Sequence, residues 1–300
     1  MGPKYPTVSS GRRLALARWI ASKENPLTAR VAINHMWLRH FGKPLVPTVF
    51  NFGRNAKPPT HPELLDWLAV EFMNRDWDMK AIHRLMVTSS AYRMQSSGYT
   101  ADSPQMKVDA DNTWLWRMNV RRLEAEAVRD SMLALAGKLD TTMYGADISP
   151  DKDEEIYRRS IYFRQTPDMQ VEMLKVFDVA SPNECFQRSE SVVPQQALAL
   201  ANSALSFDMS RVIAGQLPPG EDFVRAAFER IVGRLPSAEE VKALLEYLKS
   251  QAELYANSSG LDRFQTGTRS RVPPAADSTQ RARESLVHVL LNHNDFVTVR

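Results

Sequence analysis

Cysteine is almost missing from this 300-residue chain: Cys185 is the only one. A single thiol excludes an intrachain disulfide, a four-cysteine zinc or iron–sulfur site, and the Cys-x-x-Cys-His element that attaches c-type haem. Long apolar runs are missing too. No segment approaches the ~20 residues that a membrane-spanning helix needs, and the first residues, MGPKYPTVSSGRR, hold no hydrophobic stretch of the signal-peptide kind. The glycine-patterned nucleotide loops, the Gly-x-Ser-x-Gly elbow, the EF-hand loop and His-Glu-x-x-His are all absent, so those chemistries lack their signatures. Nor does one sign of charge dominate. With 38 Lys+Arg against 35 Asp+Glu the net charge is +3, too weak without a reader motif to point to nucleic acid.

What is present is a chain with 43% hydrophobic residues, long enough to bury a sizeable core as one domain over 1–300 or as two lobes. The charge is uneven. Residues 1–140 hold 20 basic and 13 acidic side chains, and residues 141–300 hold 18 and 22, so the expected lobes are a basic 1–140 and an acidic 141–300. Arginine outnumbers lysine heavily, which suits planar guanidinium–carboxylate pairing.

The pattern is mostly helical, and the fold class expected is mainly α: a multi-helix orthogonal bundle with a small strand pair near 159–164. Ser10 is positioned to cap a helix over 12–22, and Gly42 to stop one over 27–41. Thr60 before His61-Pro62 marks a helix to about 73. Further helices are expected over 79–92, 122–138, 194–214, 223–232, 237–256 and 279–291. Ser-, Arg- and Pro-rich 257–277 reads as a flexible surface loop. The six tryptophans sit mostly at amphipathic positions, which predicts core roles before ligand platforms.

Two clusters are candidates for chemistry. In the first, Asn51 lies in a Pro-rich loop before His61, Glu63 and Asp66, a catalytic trio in the enzyme reading. Asn51 itself, with Arg30, Asn34, Arg84 and Arg93 from the neighbouring segments, would hold an anion there. The plainer reading is buried ion pairing, Arg84 with Asp66. None of the six histidines pair at i, i+4, so a metal site would need distant segments, and no metal is expected. In the second cluster, Cys185 lies three residues from Arg188. A guanidinium lowers a thiol pKa when the group is exposed, but a lone Cys is usually buried and inert, so both residues are expected to be structural.

Five stretches carry a resemblance: Asn25–Arg93, Asp109–Leu139, Arg158–Phe163, Phe177–Ser203 and Phe223–Glu240, followed by Ala282–Val299. Together they resemble the C-terminal domain of large exported planctomycete-type proteins that often carry a cytochrome c module, the family called domain of unknown function 1553. Phe228-Glu229-Arg230 leading into Gly233-Arg234-Leu235-Pro236-Ser237-Ala238-Glu239 is also similar to a unit of those proteins' upstream domain, and it reads as a packing device. The resemblance implies a periplasmic or extracellular location, export directed from an upstream region, and c-type haem carried on an upstream domain with no cofactor in this chain. It leaves two functions. One is a structural or interaction module docking on that upstream helical domain. The other is an exported enzyme or binding domain acting on anionic, sulfated polysaccharide. Neither involves nucleic acid or a membrane span.

Overall fold

The computed structural model describes residues 9–98, 100–183, 188–220, 222–257 and 270–299. It is mainly helical, and it divides into two compact units, one up to Arg121 and one over Arg122–Val299, each with its own apolar core.

The first unit begins with α1 (Arg12–Ile20), which buries none of its residues. Its N-cap is Gly11 in the left-handed region, not Ser10, and no side chain caps it. The core is built by α2 (Thr28–Phe41), α3 (Pro62–Asn74) and α4 (Met79–Val87). Helix α2 turns Ala29, Ile33, Met36, Trp37 and Phe41 inward at helical spacing and stops at Gly42, whose φ of 76° suits a residue without Cβ. Leu65, Leu68 and Phe72 of α3 and Ile82 and Met86 of α4 complete the cluster. Proline at the first turn starts α3, with His61 as the cap residue one position later than Thr60. Helix α4 is capped by Asp78, which accepts from Ala81 N, and it ends at Val87, five residues short of the expected Tyr92. A short α5 (Pro104–Val108) interrupts the polar connector.

The second unit holds α6 (Ala125–Leu135), α7 (Glu172–Val176), α8 (Pro194–Asn202), α9 (Ala204–Gln216), α10 (Asp222–Val232), α11 (Ala238–Ala256) and α12 (Ser278–Leu291). The helix expected over 194–214 is two helices. Ser203 breaks it in extended conformation (ψ 131°), and its hydroxyl accepts from Ser206 N to cap α9. Helix α11 opens on a full capping box between Ser237 and Glu240. The Gly233–Glu239 stretch is indeed a packing device: Arg234 forks onto Glu240 at 2.8 and 2.9 Å and reaches Asp295 at 3.1 Å while lying over the Phe228 ring.

The strand pair expected near 159–164 lies elsewhere. Arg121–Arg122 (β1) and Thr298–Val299 (β2) form the two-stranded sheet, while Ser160–Tyr162 is a 3-10 turn flanked by isolated bridges at Arg158 and Phe163. Arg129 explains the departure. Fully buried on α6, it donates to the carbonyls of Asp153 (2.6 Å), Ile156 (2.8 Å) and Arg158 (3.0 Å), so this segment wraps a guanidinium instead of pairing with a strand. Asp130 next to it accepts from Ser160 N and Oγ at 2.9 and 2.7 Å. Of the loop expected to be flexible, 258–269 lies outside the described residues. Ser270–Ala275 is bolted down: buried Asp208 accepts from Arg271 N and Val272 N, and Glu284 accepts from Ala275 N.

Candidate functional site

In the first unit the loop between α2 and α3 is closed by two amide devices. Buried Asn34 both donates to Val46 O (3.1 Å) and accepts from Val46 N (2.8 Å), so it acts as a strap for the loop and is not available to an anion. Asn51 accepts from Gly53 N at 3.0 Å and shapes a local turn. Thr60 then returns to Leu45, its N–H donating to the carbonyl at 2.8 Å. This leaves His61 at the mouth of a cavity of about 210 Å³ whose walls include Trp37, Lys43 and Thr113.

The opposite rim is the 109–117 turn. Asp109 accepts from Thr113 N and Trp114 N, both at 2.9 Å, and its carbonyl accepts from Trp116 Nε1 at 2.8 Å. Burial works against its charge, yet the Trp114 and Thr113 N–H groups and the Lys43 cation hold Asp109 below the usual carboxylate range. Asn112, 1% exposed, donates to Arg117 O and Asn119, and Asn119 in turn donates to Phe41 O. Both Asn112 (φ 54°) and Leu115 (φ 56°) occupy the left-handed region, a conformation that persists only where the surroundings enforce it. The product of this bracing is Trp114, 68% exposed, edge-on to His61 with ring centroids 5.4 Å apart.

The catalytic trio does not assemble. His61 faces the cavity with Nδ1 3.0 Å from the Thr60 hydroxyl, whereas Glu63 is exposed in the first turn of α3 and Asp66 stands a turn beyond. Asp66 pairs with Arg30 at 2.6 Å, not with Arg84. That hydrogen bond holds the Asp66 pKa down and the Arg30 pKa up. Arg84 and Arg93 are exposed, and their side chains make no hydrogen bond or ion pair among the described residues. Helix phase explains the miss: α2 and α3 pack with Arg30 beside Asp66, and Arg84 of α4 points to solvent. In the second unit Arg188 forks onto Glu126 at 2.5 and 3.1 Å with Glu124 nearby. Cys185 lies outside the described residues.

Three features escaped the sequence reading. Tryptophans 19, 67 and 114 are 54%, 49% and 68% exposed, against the core role expected of them, because core positions on their segments are taken by neighbouring aliphatic residues or, for Trp19, do not exist. His40 and His83, 43 positions apart, meet with Nε2 to Nδ1 at 2.8 Å where α2 packs on α4; burial, with His83 and Arg121 beside it, lowers the His40 pKa. No spacing rule could have signalled that pair. The third feature is α1, whose Leu14, Leu16, Trp19 and Ile20 are all 45–56% exposed although the sequence pattern suited a packed helix.

Among the described residues no group of three or more His, Cys, Asp or Glu is arranged to hold a metal ion, and no helix is long and apolar enough to cross a membrane. Neither a curated protein nor a solved structure matches the chain. One family model does, over residues 12–248, a span that starts with α1, includes the braced 109–117 turn and ends within α11. The chain therefore belongs to the PSD1 family, described as protein of unknown function (DUF1553).

Proposed function

We propose that this chain is an interaction module that docks through α1 onto a helical partner domain bearing an apolar groove rimmed with carboxylates. The observation that carries the reading is that α1 buries no residue while exposing four large apolar side chains. A nine-residue helix is too short to persist alone in water, since isolated helices below ~12–15 residues are marginal. It gains stability when Leu16, Trp19 and Ile20, which the i, i+3, i+4 spacing places on one side, enter a groove, the helix-in-groove mode of recognition. Arg13 and Arg18 interleave with those side chains, hence the acidic rim on the partner. The partner we infer is the upstream helical domain of an exported, periplasmic or extracellular polypeptide, on which any c-type haem would be carried.

The test is calorimetric titration of the chain with that helical domain expressed separately. The expected result is saturable binding that Leu16→Glu with Trp19→Glu abolishes while the thermal midpoint of the chain stays in place. Undiminished binding by the double variant would overturn the reading.

A second reading is supported by the braced Trp114 beside His61 and Lys43: a binding site for anionic polysaccharide, with the indole as a stacking face and the two basic groups for sulfate or carboxylate. Titrating a sulfated oligosaccharide should quench tryptophan emission, and Trp114→Ala should remove the response. A response unchanged by that substitution would dismiss the site.

A further inference from the structure

A second cavity, of about 180 Å³, opens in the Arg122–Val299 unit, walled by α9, the end of α11 and α12. Arg281, Ser285 and His288 line it from successive turns of α12, a spacing that places them on one face. Phe207 and Arg211 of α9 and Tyr255 of α11 close it.

The two guanidiniums differ. Arg211 is committed to the protein: it donates to Ser270 Oγ and Val272 O and lies 3.9 Å from Glu284. The Arg281 side chain makes no hydrogen bond or ion pair among the described residues and rests over the Tyr255 ring, 4.5 Å from its centroid, leaving its N–H fork for a ligand. Tyr255 OH and Ser285 Oγ share one hydrogen bond at 2.8 Å, which uses one of their two hydroxyl protons and leaves the other to donate.

His288 supplies the opposite polarity. Its Nε2 lies 3.3 Å from Leu200 O, and a carbonyl can only accept, so Nε2 carries the proton and Nδ1 of the neutral ring is a lone-pair acceptor. Burial lowers the His288 pKa, the Leu200 hydrogen bond opposes that, and Arg211 reinforces it, so the neutral ring is the form at physiological pH. Phe207 fixes the ring plane, with centroids 4.4 Å apart. Glu284 also lines the cavity, but its carboxylate is taken up by Ala275 N at 3.1 and 3.2 Å and faces Arg211 at 3.9 Å. Beyond that committed pair, the lining offers a ligand a planar cation, a hydroxyl donor and the His288 acceptor. The cavity volume corresponds to roughly six waters at ~30 Å³ each, room for a three- or four-carbon acid.

We propose that this cavity binds a small hydroxycarboxylate, with its carboxylate on Arg281 and a hydroxyl donating to Nδ1 of His288. The guanidinium alone would accept any small anion. The acceptor nitrogen selects one that also has a proton to give, because burying Nδ1 against an apolar ligand would forfeit a hydrogen bond.

The experiment titrates D-glycerate into the full chain at neutral pH, followed by calorimetry and by the ¹⁵N resonances of His288. Saturable binding is expected, with a shift confined to the Nδ1 resonance, and propionate should bind about fivefold weaker or worse. Arg281→Met should weaken glycerate by about tenfold or more with the circular dichroism spectrum unchanged. No saturation up to roughly 50 mM glycerate overturns the proposal. So does equal affinity for propionate, or binding indifferent to Arg281→Met. Should that variant fail to fold, the Nδ1 resonance of the unaltered chain decides: a glycerate-dependent shift that glycerol does not reproduce supports the assignment, and its absence refutes it.

Discussion

The contrast between Arg129 and Arg30 shows how much context decides the worth of one side chain. Arg129 is fully buried and satisfies three backbone carbonyls of a segment with little other regular structure. Arg129→Met keeps the bulk but leaves those carbonyls without donors, and we expect a loss of about 3 kcal/mol or more, read from urea unfolding. Arg30 and Asp66 are 35% and 53% exposed, so Arg30→Ala should change stability by less than about 1 kcal/mol in the same assay. Glu240 offers a pH test. The hydrogen bond from Arg234, then that from Ser237 N, lowers its pKa from 4.5 to about 2, despite some opposing desolvation. A carboxylate depressed in the folded state contributes stability that is present above its unfolded pKa and is lost as pH falls through the folded one. The thermal midpoint should therefore fall as pH drops from 4.5 towards 2, and Glu240→Gln should flatten part of that fall.

At the scale of elements, start and stop signals were legible where the residue acts through its own backbone. Gly42, Pro62 and the Ser237 capping box each mark an observed boundary within a residue or so, because left-handed φ, a missing N–H and a short hydroxyl are local properties. The break at Ser203 was not legible, since the apolar pattern runs through it from Leu200 to Leu205. Its effect is measurable: Ser203→Ala should cost about 1 kcal/mol by removing the cap on α9. Helix α1 fails in the opposite way. Leu16, Trp19 and Ile20 share one side of it, yet whether they find a partner is decided outside the helix.

At the scale of the molecule, one core gathers Ala29 to Met118 and the other Ala125 to Val297, with no residue in common. Calorimetry of the whole chain should therefore resolve two unfolding transitions; a single transition with equal calorimetric and van't Hoff enthalpies would show one cooperative unit instead. Family membership adds a lineage to this architecture and leaves the reaction, if one exists, to be read from its cavities.

The sequence by itself determined the helical class, the exclusion of an intrachain disulfide, of a four-cysteine metal site and of Cys-x-x-Cys-His haem attachment, the family, and most helix starts. Those depend on composition and on interactions within a few residues. Only the tertiary structure decided which arginines face carboxylates, which tryptophans reach solvent, that His40 meets His83, and that Arg281, Tyr255 and His288 converge on one cavity. Partners 30 or more positions apart depend on how helices rotate when they pack, and a rotation of one residue, about 100°, turns a buried ion pair into an exposed cation.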